Sequence, residues 1–124
     1  MGEPEEQTGG PQPVRRRRAA ESLMTPTSAV LVSNDQMAVG VLRALHEAGR
    51  RVPEDVSVVC YDDIPEAEHL LPPLTTVRTD FAEIGRRCMT LMLDHLERTP
   101  EPGVRVTIPT ELVVRRSSGP APRD

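Results

Sequence analysis

An α/β chain organised around an open, doubly wound parallel sheet is predicted by three observations. Two short runs, Ala29-Val30-Leu31-Val32 and Val56-Ser57-Val58-Val59-Cys60, are apolar and largely β-branched, as strands buried on both faces are. Each run stops on polar side chains, Ser33-Asn34-Asp35 in the first case and Tyr61-Asp62-Asp63 in the second. Between the runs, Met37, Val41, Leu42 and Leu45 repeat at helical spacing. Together they make one βαβ unit of ordinary size with a right-handed crossover. Ligands of such sheets bind just beyond the carboxyl ends of the strands. Asn34 and Asp62 both stand there.

Taken in order, residues 1–27 read as a disordered or truncated lead. Met1 to Arg18 are mostly Glu, Gly, Pro and Gln followed by four arginines, a composition that buries too little apolar surface to order itself. Ala19 to Met24 resemble the last turns of a helix, stopped by Thr25-Pro26-Thr27. After the first strand, Asn34 suits an N-cap or a ligand contact, and Gly49 suits the helix end. Arg50 to Asp55 form a polar connector with a proline turn. Asp62 can present an acceptor-only side chain to ligand hydroxyls. Asp is also a common turn former, and on spacing alone that plainer reading stays open.

Ile64 to Leu71 read as a short helical segment stopped by Pro72-Pro73, because the residue before proline avoids the α region. Leu74-Thr75-Thr76-Val77 is the next strand. Thr79-Asp80 opens a long amphipathic helix from Phe81 to about Glu97, its apolar side marked by Ile84, Cys88, Leu91 and Leu96 and widened by Met89, Met92 and Leu93. Thr99 to Gly103 are a loop. Val104, Val106 and Ile108 alternate as a strand with one covered face does. Glu111 to Arg115 form a last strand, and residues 117–124 read as a flexible tail.

Composition removes several functions. The chain has 124 residues, one domain's worth, with a single Tyr, a single Phe and no Trp, so its core is aliphatic. All 15 basic residues are arginine, yet the net charge is −4 and the pI near 5.4, against a nucleic-acid binder acting through its whole surface. Cys60 and Cys88 lack metal-ligand spacing and read as buried free thiols. No metal or cofactor is implied. The sequence has no apolar leader and no stretch of membrane-spanning length, which points to the cytoplasm. Adjacent carboxylates such as Asp62-Asp63 can hold Mg²⁺. Phosphoryl or acid–base chemistry also wants a placed Lys or His, and the chain has no Lys. It is therefore not read as an enzyme.

Four linked segments carry a resemblance. Val30 to Gly40, Val56 to Asp63, Pro72-Pro73-Leu74-Thr75-Thr76-Val77 and Asp80-Phe81-Ala82-Glu83-Ile84-Gly85 are similar, in order and interval, to segments of the LacI/GalR family of bacterial transcription regulators. The resemblance covers about Ser28 to Arg116. It implies a partial Rossmann-like sheet from the second lobe of a periplasmic-binding-protein-like sensor, with residues 28–116 as its C-terminal part. The helix-turn-helix, the hinge and most of the first lobe are not in this sequence, so operator DNA is contacted only through a helix-turn-helix absent here.

Carried over by position, Asn34 and Asp62 match residues that hydrogen-bond ligand hydroxyls, and Thr79 and Phe81 match hinge positions that line the cleft. Val39, His69, Leu70 and Leu71 match the second-lobe surface of a homodimer. Cys60 departs from the glycine usual before the aromatic-Asp-Asp motif. The resemblance implies a sugar-like or polyol effector, whose binding changes the arrangement of the lobes. A transport-type sugar-binding module and an inactive truncated remnant are the alternatives. Without the first lobe, the apolar stripe of the Phe81 helix is left uncovered and the chain is expected to be marginally stable or to associate.

Overall fold

The computed structural model describes residues 27–98 and 103–122. The expected N-terminal arm, the helix end at Ala19–Met24 and loop residues 99–102 lie outside the described residues. The elements are β1 (Ala29–Leu31), α1 (Asp35–Glu47), β2 (Ser57–Asp62), a 3₁₀ turn (Pro65–His69), β3 (Thr75–Arg78), α2 (Phe81–Glu97) and β4 (Glu111–Val113). They give one sheet in the order β1-β2-β3-β4. β1, β2 and β3 are parallel, and β4 runs antiparallel on β3 with Val77 opposite Leu112.

Local chemistry sets the ends of α1. The Asn34 side chain accepts a hydrogen bond from the Met37 N–H at 2.9 Å, satisfying one of the helix's orphan donors. At the other end Gly49, at φ +68°, lets its own N–H reach the His46 carbonyl and the Arg50 N–H reach Leu45. This pairing of C′ and C″ with the last turn needs a left-handed residue, which glycine supplies without a Cβ clash. Helix α1 then lays Ala38 and Leu45 on Val56, Val58 and Cys60, with Val32, Ala67 and Leu74 completing the buried core.

The core lies on one face of the sheet. Val30 and Val32 turn toward it, whereas Ala29 and Leu31 are exposed, Leu31 by 79%. β1 is thus not the strand buried on both faces that its composition predicts. It is an edge strand, and β-branched richness does not distinguish one covered face from two. Helix α2 buries none of its residues, because it covers no part of the described sheet. Its amphipathic stripe forms as predicted, but Cys88 on it is exposed rather than buried. Residues 103–110 form no strand, and Val104 and Val106 are exposed. Their alternation is strand-like, but no strand among the described residues pairs with them.

The chain after β4 also departs from expectation. Instead of fraying, Ser117 is fully buried where the ladder between β2 and β3 begins. Its hydroxyl accepts from the Thr75 N–H at 2.7 Å and donates to the Val58 carbonyl at 2.6 Å, while its carbonyl accepts from the Val58 N–H at 2.7 Å. Ser117 thus stands between Val58 of β2 and Thr75 at the start of β3, pairing the backbone groups of both, while the Arg116 N–H donates to the Pro73 carbonyl at 3.0 Å. Ser118 and Gly119 continue the contact, to the Thr75 and Ser57 hydroxyls.

Candidate functional site

The register of the sheet determines where the polar strand ends fall. Leu31 pairs with Val59 across β1 and β2. Asn34 and Asp62 each lie three residues beyond that rung, so they leave the same end of neighbouring parallel strands together. Asp62 itself pairs with Arg78 of β3, which brings the following Thr79 alongside it. The Thr79 N–H donates to the Asp62 carbonyl at 3.4 Å. Phe81, in the first turn of α2, is 58% exposed. Three of the four sequence-predicted ligand residues, Asn34, Asp62 and Thr79, thus share the carboxyl edge, and Phe81 follows two residues after Thr79.

The side chains there have unused hydrogen-bonding capacity. Capping uses Asn34 Oδ1, while its amide nitrogen has no partner among the described residues. The half-buried Asp62 carboxylate is likewise unpaired among them. Thr79 Oγ1 is buried with no hydrogen-bond partner among the described residues. A donor, a two-oxygen acceptor and a hydroxyl of either role are the groups that bind a polyhydroxylated ligand. No cluster of three His, Cys, Asp or Glu suited to a metal occurs among the described residues.

Asp62 is held in an unusual backbone, with φ +119°, followed by Asp63 at φ +59°. Non-glycine residues there store strain of order 1–3 kcal/mol each, so surrounding contacts must over-determine the turn. Asp63 supplies one set. Its carboxylate sits between Arg78 Nε at 2.6 Å and Arg115 NH1 at 2.7 Å, the latter an ionic contact outside hydrogen-bond alignment. Burial pushes the Asp63 carboxyl up, but the Arg115 and Arg78 guanidiniums outweigh it and hold the group below the usual carboxylate range. An Asp63 so engaged is not free to share a cation with Asp62.

Asp35, next to the cap, was not singled out by sequence reasoning and is fully buried. Its Oδ1 accepts from Thr76 Oγ1 at 2.6 Å and its Oδ2 from the Ile64 N–H at 2.9 Å. Beneath it, burial first and then the Asp35 charge push the Cys60 thiol up to about 12, so the thiol stays neutral at ordinary pH. Arg78 and Arg115 were missed too, since pairing with Asp63 depends on the sheet bringing β3 and the end of β4 together.

The matching dimer positions divide. Val39 on α1 is half exposed, Leu71 is 91% exposed, and His69 points outward. Leu70 instead packs partly against the core. An open depression of about 480 Å³ lies at the opposite, amino end of the strands, between Leu42, His46, Arg51, Glu54, Leu71 and Pro72. It contains none of the strand-end acceptors and is a separate surface feature. No described helix is long and apolar enough to cross a membrane.

Comparison with known proteins agrees with the fold. Residues 2–118 match the family described as periplasmic binding protein-like domain. The HTH-type transcriptional repressor MelR of Bacillus subtilis (strain 168) is 45% identical over 91 residues, which are 73% of this chain and 26% of MelR. The chain therefore spans about a quarter of that relative's length. Among solved structures, a LacI family transcriptional regulator from Arthrobacter sp. FB24 in complex with lactose superposes with a TM-score of 0.71 at 41% identity, covering 84% of this chain and 40% of that one. The lac repressor dimer bound to operator and the anti-inducer ONPF gives 0.72 at 35% identity, covering 85% and 36%.

Proposed function

We propose that this chain, which belongs to the periplasmic-binding-protein-like sensor domain of LacI-type regulators, carries one wall of a saccharide-type effector cleft. The observation that carries the reading is the pair formed by Asn34 and Asp62. They stand at equal offset beyond one rung, with an amide donor and a carboxylate that have no partner among the described residues. Adjacent hydroxyls of a sugar ring offer both an acceptor and a donor, which the pair complements. The lactose complex of the Arthrobacter regulator supports the ligand class.

Thr79 and Phe81 line the crossing from β3 into α2, the route by which ligand contact reaches the rest of a regulator. A ligand shifts such an equilibrium only by its differential affinity for the two arrangements. In the assembled regulator the outward residues Val39, His69 and Leu71, with Leu70 behind them, form the homodimer surface. The dimeric lac repressor structure supports that assembly. Operator contact belongs to a helix-turn-helix outside this sequence. The protein works in the cytoplasm as a sensor, not as an enzyme.

The test is a titration of the ¹⁵N-labelled chain with lactose, followed residue by residue. One wall of a cleft binds weakly, so saturation is expected only in the millimolar range, about −4 kcal/mol. Shifts centred on Asn34, Asp62 and Thr79, lost in Asp62→Ala with the rest of the spectrum intact, are the expected result. Uniform small shifts, or shifts centred on the Leu42–Leu71 depression, refute this site.

A further inference from the structure

We infer that Asp35 is the positioning residue of the site: its buried carboxylate fixes the distance and orientation between Asn34 and the turn that presents Asp62. The inference rests on the reading of Asn34 and Asp62 as effector contacts. Its physical basis is separate from that reading.

Asp35 is the first residue of α1, directly after the Asn34 cap, and has no solvent exposure. A buried carboxylate persists only where its oxygens are satisfied. Both are, and by different elements. Thr76 Oγ1 of β3 donates to one at 2.6 Å. The Ile64 N–H, immediately after Asp62-Asp63, donates to the other at 2.9 Å. One side chain therefore ties together the start of α1, the exit of β2 and the middle of β3.

The tie matters because of the backbone between its ends. Asp62 and Asp63 both hold positive φ, which non-glycine residues leave unless held. Asp63 is held from outside by Arg78 and Arg115, and the Asp62 carbonyl by the Thr79 N–H. The Ile64 bond to Asp35 holds the inner side of the turn, and it alone among these contacts leads back to the element that carries Asn34. If it is lost, the turn keeps its outer anchors while Asp62 is released relative to Asn34.

The experiment is amide hydrogen exchange and backbone coupling by NMR on the full chain, comparing Asp35→Ala, Asp35→Asn and Thr76→Val. In Asp35→Ala the Ile64 amide is expected to exchange at least about tenfold faster than in the wild type, as loss of a buried acceptor implies. The positive-φ couplings of Asp62 and Asp63 should average, while the Val58 amide in the core stays protected. Asp35→Asn restores protection, because its amide oxygen can accept from Ile64 and its nitrogen can donate to the Thr76 hydroxyl. If Asp35→Ala does not fold, Thr76→Val decides. This nearly isosteric change removes only the β3 bond and is expected to perturb residues 62–64 but not Val58. Ile64 changes that merely track Val58, no rescue by a folded Asp35→Asn, or wild-type behaviour of residues 62–64 in Thr76→Val would overturn the inference. A wild-type chain whose Asn34 and Asp62 signals ignore lactose removes the effector reading instead, and leaves the exchange result standing on its own.

Discussion

At the scale of single residues, neighbouring carboxylates of one type do three different jobs. The Asp62 carboxylate is half-buried with no partner among the described residues, Asp63 is held by two arginines, and Asp35 is buried as a structural acceptor. The strand-end position of Asp62 was legible in the sequence, because chain order alone carries it to the carboxyl edge. The sequence was silent on the other two. Whether an Asp beside a cap faces solvent or core depends on what β3 and the segment after β4 bring to it. The Asp63 cluster has a pH consequence. Its folded pKa lies below the ordinary value near 3.8, so it contributes stability above that value and loses the contribution as pH falls through it toward the depressed one. Urea midpoints measured from pH 6 down to about pH 2.5 should therefore fall more steeply in the wild type than in Asp63→Asn. At pH 7 that variant, which leaves Arg115 in a nearly buried position without its counter-charge, should lose about 2–4 kcal/mol. Parallel pH profiles for the two proteins would show that the arginines do not hold Asp63 in solution.

At the scale of elements, composition identified what each segment can be, and partners decided what it became. Val104, Val106 and Ile108 have the alternation of a strand but no described strand beside them, so the segment stays unpaired. Ser117-Ser118-Gly119 look like a fraying tail, since Ser and Gly are loop formers and nothing local argues otherwise. Their role comes from the start of the β2–β3 ladder, 59 and 42 residues earlier in the chain, whose Val58 and Thr75 backbone groups Ser117 pairs. The buried Ser117 hydroxyl answers both the Thr75 N–H and the Val58 carbonyl. Ser117→Ala removes both contacts while keeping the Ser117 backbone bond to Val58. Two buried polar groups left without partners should cost roughly 2–4 kcal/mol in urea unfolding. Ser118→Ala, at a half-buried position with one hydroxyl contact, should cost about 1 kcal/mol or less. Equal effects at the two serines would return residues 117–119 to the status of a tail.

At the scale of the whole molecule, the sheet and α1 make a one-sided core, and α2 stands apart from it. Helical periodicity gave the α2 stripe correctly, because it depends only on the helix's own residues. What covers the stripe does not follow from periodicity, and among the described residues nothing does: Met89, Met92 and Leu93 are more than half exposed and Leu96 is 77% exposed. A helix of 17 residues is marginal in water by itself. Local devices support this one. Asp80 caps it through the Glu83 N–H at 2.8 Å, and Glu83 pairs with Arg86 and Arg87 at 2.7 Å each. Exposed pairs of this kind are largely screened by solvent and contribute little, so they do not offset leaving the apolar side uncovered. A contiguous exposed stripe of this sort drives association. Light scattering on the purified chain should therefore give a mass that rises with concentration. Leu93→Glu together with Leu96→Glu should return it to the monomer, at a cost in unfolding free energy within about 0.5 kcal/mol, because neither side chain contributes to the core. A monodisperse wild-type monomer at every concentration would mean that something beyond the described residues already covers α2. A double variant that unfolds would mean that the helix packs on the sheet after all.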